Sequence, residues 1–198
     1  MTLSRRHGRP CRSQGGFTLI ELMVTIAIAA ILLMVGVPSF VTMQRNSELT
    51  AAANALVAGI NAARGEAMKR GLNAVVVPTD GASWRNGWTV FVDTSTTRNG
   101  TLDASDLVVQ QQPALASYFA VTGSGTATGT APYMMFDPSG YTKTKGGGFN
   151  ELTLSIVRND LTGTALAEQT RRVIVARTGR ARACKPSTDT TCIDGATD

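Results

Sequence analysis

Hydrophobic and polar positions divide this chain into three regimes. Residues 17–40 are apolar almost throughout: Leu22–Val35 carries no charge, and Glu21 is the one ionisable side chain in the stretch. At ~1.5 Å per residue, a helix of this length can cross a hydrocarbon core of ~30 Å. Gly36 and Pro38 interrupt it, and Pro38 predicts a kink or local melting. Beyond, Leu49, Ala53, Leu56, Ile60, Ala63 and Ala67 recur at spacings of four and three, which is one apolar stripe on a helix. Arg45, Glu48, Arg64, Glu66, Lys69 and Arg70 lie mostly off that stripe, and Gly71 is the expected C-cap. From Leu72 the pattern shortens to that of strands. Ala74–Val77, Trp88–Val92, Leu107–Gln110, Leu115–Val121, Tyr133–Phe136, Leu152–Ile156 and Arg172–Arg177 are the expected strands. Thr122–Thr130 reads as a mobile loop without core residues, Asp137-Pro138-Ser139-Gly140 as a turn and Gly146–Gly148 as a flexible hinge. One long helix followed by closely spaced strands predicts an α+β fold, the helix packed on an antiparallel sheet.

Charge changes the picture at the N-terminus. The chain has 198 residues and a formal net charge of +5, but four of its 19 basic residues (Arg5, Arg6, Arg9 and Arg12) precede the apolar run. The remainder nearly balances the 14 acids, so any attraction for polyanions must come from a local cluster. Arginines on this flank predict a cytoplasmic N-terminus, with the rest of the chain outside, in the periplasm of a two-membrane cell. An ordinary secretory signal is cut after its apolar run. Here a Gly15-Gly16 pair stands before it, and cutting there would leave the apolar helix on the mature protein. A plain membrane anchor is one alternative. Cleavage near Ala27-Ile28-Ala29 is another, but it leaves a short apolar run and no reason for Glu21. The expected organisation is a leader over 1–16, a transmembrane helix over 17–40, its amphipathic continuation over 41–71 and a β-rich domain over 72–198.

The run Gly16-Phe17-Thr18-Leu19-Ile20-Glu21 resembles the processing site of type IV pilin-like precursors. The resemblance implies cleavage after Gly16 by a prepilin peptidase, methylation of Phe17 and assembly with other major and minor pilins into a filament. A carboxylate near the membrane core needs a partner. In that family the Phe17 amine of one subunit is thought to meet Glu21 of its neighbour, whereas snorkelling of Glu21 to the headgroups is the plainer account. Gly87–Asp93, Phe136–Gly140 and Thr178–Arg182 resemble the GspH/FimT group of minor pilins and pseudopilins, and this likeness spans nearly the whole chain.

Cys184 and Cys192 remain after loss of Cys11 with the leader, and an oxidising compartment predicts a disulfide between them rather than two free thiols. The one histidine, His7, sits in the leader, which removes Ser-His and Cys-His systems from the mature chain. No catalytic residues, metal or cofactor are expected. Arg171, Arg172, Arg177, Arg180, Arg182 and Lys185 form a basic cluster without an intervening acid. Gly179 breaks the strand, so Arg180 and Arg182 are expected on an exposed segment outside the sheet. If that segment is extended, they point the same way as a two-pronged phosphate clamp. Gly179-Arg180-Ala181-Arg182 also resembles the Gly-Arg-x-Arg motif of FimT-type minor pilins that bind DNA in natural transformation. By that resemblance Gly179, Arg180 and Arg182 contact DNA, and Arg177 matches a further basic position. Arg171, Arg172 and Lys185 join them on charge clustering alone. Such contacts would grip double-stranded DNA through its backbone, independently of sequence. A solvated edge strand protected by charge is the structural alternative.

Asp93, Asn99, Asp103 and Asp106 surround Arg98-Asn99-Gly100 and could offer oxygens to calcium, but Asx turns explain them better. Trp88 is expected in the core and Trp84 at the surface, where stacking on bases is conceivable. The sequence therefore predicts an inner-membrane minor pilin that contacts lipid before assembly and then displays a DNA-binding segment on a pilus. The alternative is a GspH-like pseudopilin of type II secretion, or a priming pilin that never meets DNA.

Overall fold

The computed structural model describes residues 16–96 and 99–193. Residues 1–15, which hold most of the expected leader, and Thr97 and Arg98 of the Asp/Asn-rich turn lie outside the described residues. Helix α1 (Leu19–Arg70) opens on a capping box: the Thr18 amide and hydroxyl both donate to Glu21 Oε2 at 2.9 Å, and the Glu21 amide donates to Thr18 Oγ1 at 3.3 Å. Glu21 thus has a local role that the apolar pattern did not suggest. Its neighbours Phe17, Leu19, Ile20, Leu22 and Met23 are exposed, as are Leu32, Leu33 and Phe40 further along. The helix runs through Pro38 without melting. Proline forfeits one hydrogen bond there, while the following turn is reinforced by the Thr42 hydroxyl donating to the Pro38 carbonyl at 3.1 Å.

The chain divides into two units, and Gln44–Asp198 forms the second. Its core is built by the stripe of α1: Leu49, Ala53, Leu56, Ile60, Ala63 and Ala67 are all buried. Small residues let the helix approach closely. Gly59 faces Trp88 so tightly that a Cβ there would lie 2.9 Å from the indole Nε1. The strands form two antiparallel sheets rather than one. The first joins β3 (Leu107–Gln112), β2 (Trp88–Val92), β1 (Ala74–Pro78), β5 (Met134–Phe136) and β6 (Thr142–Lys143) in that spatial order. The second joins β4 (Phe119–Gly123), β7 (Leu152–Arg158), β8 (Thr170–Val175) and β9 (Ala181–Cys184). Their inner faces share one core with the helix, through Val76, Trp88, Val90 and Phe136 on one side and Leu154, Ile156, Val173 and Val175 on the other. The outer face of the first sheet buries Val75, Phe91 and Met135. A short helix α2 (Gly163–Glu168) links β7 to β8.

Several expectations need correction. Trp84 is buried, its Nε1 donating to the Ala127 carbonyl at 2.8 Å. The segment expected to be a coreless loop therefore supplies a core residue, Ala127, on a 3₁₀ turn (Gly125–Ala127). The glycines at 146–148 close a tight turn, with Thr144 and Gly148 bonded through their backbones at 2.8 Å. In the Asp/Asn-rich turn, Asp93 is buried and accepts from Gly100 N at 2.7 Å and Ser95 Oγ at 2.6 Å. Asp106 accepts from the amides of Thr94 and Asp103, at 2.9 and 3.0 Å. These carboxylates are committed to backbone and hydroxyl donors, the Asx-turn arrangement.

Candidate nucleic-acid interface

Strand alternation sorts the basic cluster by face. Val173 and Val175 of β8 belong to the core, so Arg172, Ile174 and Ala176 face outward. On β9 the register sets Ala183 opposite Val173 and Ala181 opposite Val175, which leaves Arg182 and Cys184 on the outer face, opposite Ile174 and Arg172. Arg171 is opposite Ile156 and shares the inner face with it. Its guanidinium reaches Asn46 Oδ1 on α1 at 3.0 Å, and burial lowers its pKa. Arg171 thus joins helix to sheet and does not belong with the outward-facing arginines.

The β8–β9 turn is held from beneath. Gly179 has φ +78°, and a Cβ there would lie 1.9 Å from the Gly140 carbonyl oxygen. That oxygen also accepts from Arg64 Nε at 3.0 Å. The Asp137–Gly140 turn, itself closed by the Gly140 amide on the Asp137 carbonyl at 2.9 Å, is therefore clasped between α1 and the basic turn. Thr142 extends this contact: its amide donates to the Arg177 carbonyl at 3.0 Å. Arg64 gave no sequence signal of this role, since it lies off the apolar stripe.

At the tip, Arg180 is exposed, and its guanidinium meets no acceptor among the described residues. Arg177 is also exposed but pairs with Glu151 at 3.1 Å. Arg182 is not on a free segment. It lies within β9, its Nη1 3.1 Å from Asp189 Oδ2 and its Nη2 donating to the Thr191 carbonyl at 2.7 Å. Arg172 donates to the Cys192 carbonyl at 2.7 Å and to Ser155 Oγ at 3.2 Å. The Cys184–Cys192 disulfide, with Cα atoms 5.8 Å apart, closes the loop that carries Asp189, Thr191 and the Cys192 carbonyl. Lys185 is half-buried inside it, its carbonyl capping Thr188 and Asp189. Asp189 is held below the usual carboxylate range by hydrogen bonds from the Thr191 hydroxyl and amide, with a smaller contribution from Arg182. The clamp expected from the sequence is thus asymmetric, with one free arginine and one already engaged.

The family model for the type II transport protein GspH matches residues 52–179 of this chain. It belongs to the GspH family. A second model, for the prokaryotic N-terminal methylation motif, matches residues 11–37. Among solved structures the chain is similar to the type IV minor pilin FimU of Pseudomonas aeruginosa, at 17% identity and a TM-score of 0.55, over 73% of this chain and 94% of that one. A second crystal form of FimU gives 16% identity and a TM-score of 0.50 over 70% and 94% of the two chains. The minor pseudopilin EpsH of the Vibrio cholerae type 2 secretion system gives 19% identity and a TM-score of 0.48, over 70% and 98%. No curated protein sequence matches. At these identities the neighbours speak for the fold, which is that of type IV pilins: a long N-terminal helix packed on antiparallel sheets. As a GspH-family protein with a methylation motif, the chain is a minor pilin or pseudopilin of a type IV pilus or type II secretion system. Its family and neighbours are structural pilins rather than enzymes. The GspH match ends at Gly179, so Arg180, Arg182 and the disulfide loop lie beyond it.

Proposed function

We propose that this chain is a minor type IV pilin that binds extracellular double-stranded DNA, through phosphate rather than base contacts, at the turn between β8 and β9. In this reading it enters the inner membrane with its N-terminus cytoplasmic and its apolar helix in lipid. It is then cut after Gly16, methylated at Phe17 and drawn into a pilus. Glu21 directs that assembly by accepting the Phe17 amine of a neighbour; the two capping contacts both fall on Oε2, leaving Oε1 for the new partner. Retraction then carries bound DNA inward for transformation.

The observation that carries the reading is Arg180: an exposed guanidinium without an acceptor among the described residues, at the tip of a turn fixed by Gly179, the Asp137–Gly140 turn and a disulfide. An unpaired guanidinium on a backbone held in place suits bidentate phosphate binding. Arg182 and Arg177 lie close by and reach phosphate only in competition with Asp189 and Glu151. Arg180 is therefore the principal contact. The test is fluorescence anisotropy of a labelled duplex with the detergent-solubilised chain across a salt series. Arg180→Gln should weaken binding several-fold at low salt and flatten the slope of log K against log salt by ~0.9, the loss of one phosphate contact. In cells it should abolish transformation while leaving pili assembled. Unchanged binding by Arg180→Gln would remove the proposal.

One observation favours a second reading, a pseudopilin or priming pilin without DNA: Arg177 and Arg182 already have carboxylate partners, as a charge-protected surface would. Absence of any duplex binding at low salt would select it.

A further inference from the structure

Beside the basic turn stands an aromatic patch that the sequence pattern did not single out. Tyr141 and Lys143 flank Thr142, whose side chain is buried with its hydroxyl 2.7 Å from the Ala176 carbonyl. Alternation therefore turns Tyr141 and Lys143 together to the opposite, solvent side. Phe149 is bridged to Lys143 across the edge of β6 and joins them there. Tyr141 is 42% exposed and Phe149 59%. Their rings meet edge to face at 5.6 Å, and Lys143 Nζ lies 3.5 Å from the Phe149 ring centroid. The patch is continuous with the cationic turn. The Thr142 amide is bonded to the Arg177 carbonyl, Gly140 packs under Gly179, and Glu151, two residues after Phe149, holds Arg177. Lys143 also lies 3.8 Å from Asp137, so the carboxylates of Asp137 and Glu151 offset Lys143 and Arg177, while Arg64 bonds the Gly140 carbonyl and the exposed Arg180 guanidinium meets no acceptor among the described residues.

An aromatic surface whose backbone is bonded to a cationic turn offers the two elements a nucleotide needs, a π face for its base and a guanidinium for its phosphate. In an intact duplex the base faces are already stacked on one another. We propose that Tyr141 and Phe149 form a stacking platform for unpaired bases, so that this surface takes single-stranded DNA or the frayed end of a duplex in preference to duplex interior. The inference rests on the DNA-binding reading above and names which form of DNA the site prefers.

The test uses the detergent-solubilised full chain and three labelled probes: a thymine 20-mer, an abasic strand of the same length and a blunt duplex. Stacking predicts that the chain binds the thymine strand roughly 5- to 100-fold more tightly than the abasic strand, which has the same phosphates and no bases. Phe149→Leu, which keeps an apolar side chain but no π face, should reduce that ratio, and Tyr141→Leu with Phe149→Leu should bring it to about one. Both variants should bind the abasic strand as the parent does. Equal binding of thymine and abasic strands by the parent chain, or tighter binding of the blunt duplex than of the thymine strand, would overturn the platform while leaving phosphate binding in place. Retention of the full ratio by the double variant would overturn it too. So would normal discrimination accompanied by loss of the double variant from pili, which would make the patch a contact between pilins. Failure of all three probes to bind would remove the DNA reading itself.

Discussion

Gly179→Ala is the sharpest test of how the basic turn is positioned. Two penalties combine at this site. A φ of +78° is strained for any L-residue by ~1–2 kcal/mol. The new Cβ would also sit 1.9 Å from the Gly140 carbonyl oxygen. That oxygen cannot recede freely, because it accepts from Arg64 and because Gly140 itself has Met68 Sδ within 2.8 Å of its own Cβ position. Relief requires the two turns to part, an overpacking cost of ~1–3 kcal/mol. The sum is about 2–5 kcal/mol. In a domain of about 150 residues each kcal/mol shifts Tm by about 2–4 °C, so a fall of roughly 4–20 °C is expected. Gly163→Ala supplies the control, since Gly163 has φ +62° and nothing within 4 Å of its Cβ position. It carries the backbone strain alone and should lose only a few degrees. Thermal unfolding of both variants by near-UV circular dichroism reads the difference. Equal Tm values would refute the interlocked turns, and with them the account of why a glycine precedes Arg180.

Three further outcomes follow from the same geometry. Replacing both Cys184 and Cys192 by serine should cost roughly 2–3 kcal/mol from loop entropy, read by urea unfolding, and should loosen the acceptors of Arg182 and Arg172. Unchanged stability would place the order of the loop elsewhere. Asp160 has its pKa lowered to about 2 by the hydrogen bonds from Arg158, against ~3.9 in an unfolded chain. The unfolded state therefore takes up the proton first, so this contribution is complete above about pH 4 and is lost as pH falls towards 2. Asp160→Asn should flatten the acid limb of a stability-against-pH curve, and an unaltered limb would discount the pair. Gly59→Ala gains helix propensity of ~1 kcal/mol but drives a Cβ to 2.9 Å from Trp88 Nε1, so a net loss in Tm is expected; a gain would show that the indole can yield.

Much of this molecule was legible from periodicity because a repeat of side chains fixes which face is buried before any partner is known. The α1 stripe from Leu49 to Ala67 and strand β2 emerged at the residues that the pattern named. The N-terminal signature and the paired cysteines were legible for a different reason: their chemistry is local to a few residues. Fates set by contacts between distant segments were not legible. Trp84 was expected at the surface because no strand pattern surrounds it, yet the carbonyl of Ala127, 43 residues on, receives its indole. Arg171 and Arg172 look alike in a basic run, but one step along a strand sends them to opposite faces, the first to α1 and the second to the disulfide loop.

The sequence by itself determined an apolar N-terminal helix, its amphipathic continuation, a β-rich domain and a basic C-terminal run. Tertiary structure alone decided which of those arginines remain unpaired. It also set Tyr141 and Phe149 beside a turn some thirty residues later. The physical reason is that burial follows the periodicity of a single element, whereas the pairing of a charge depends on which carboxylate or carbonyl the fold brings within about 3 Å of it.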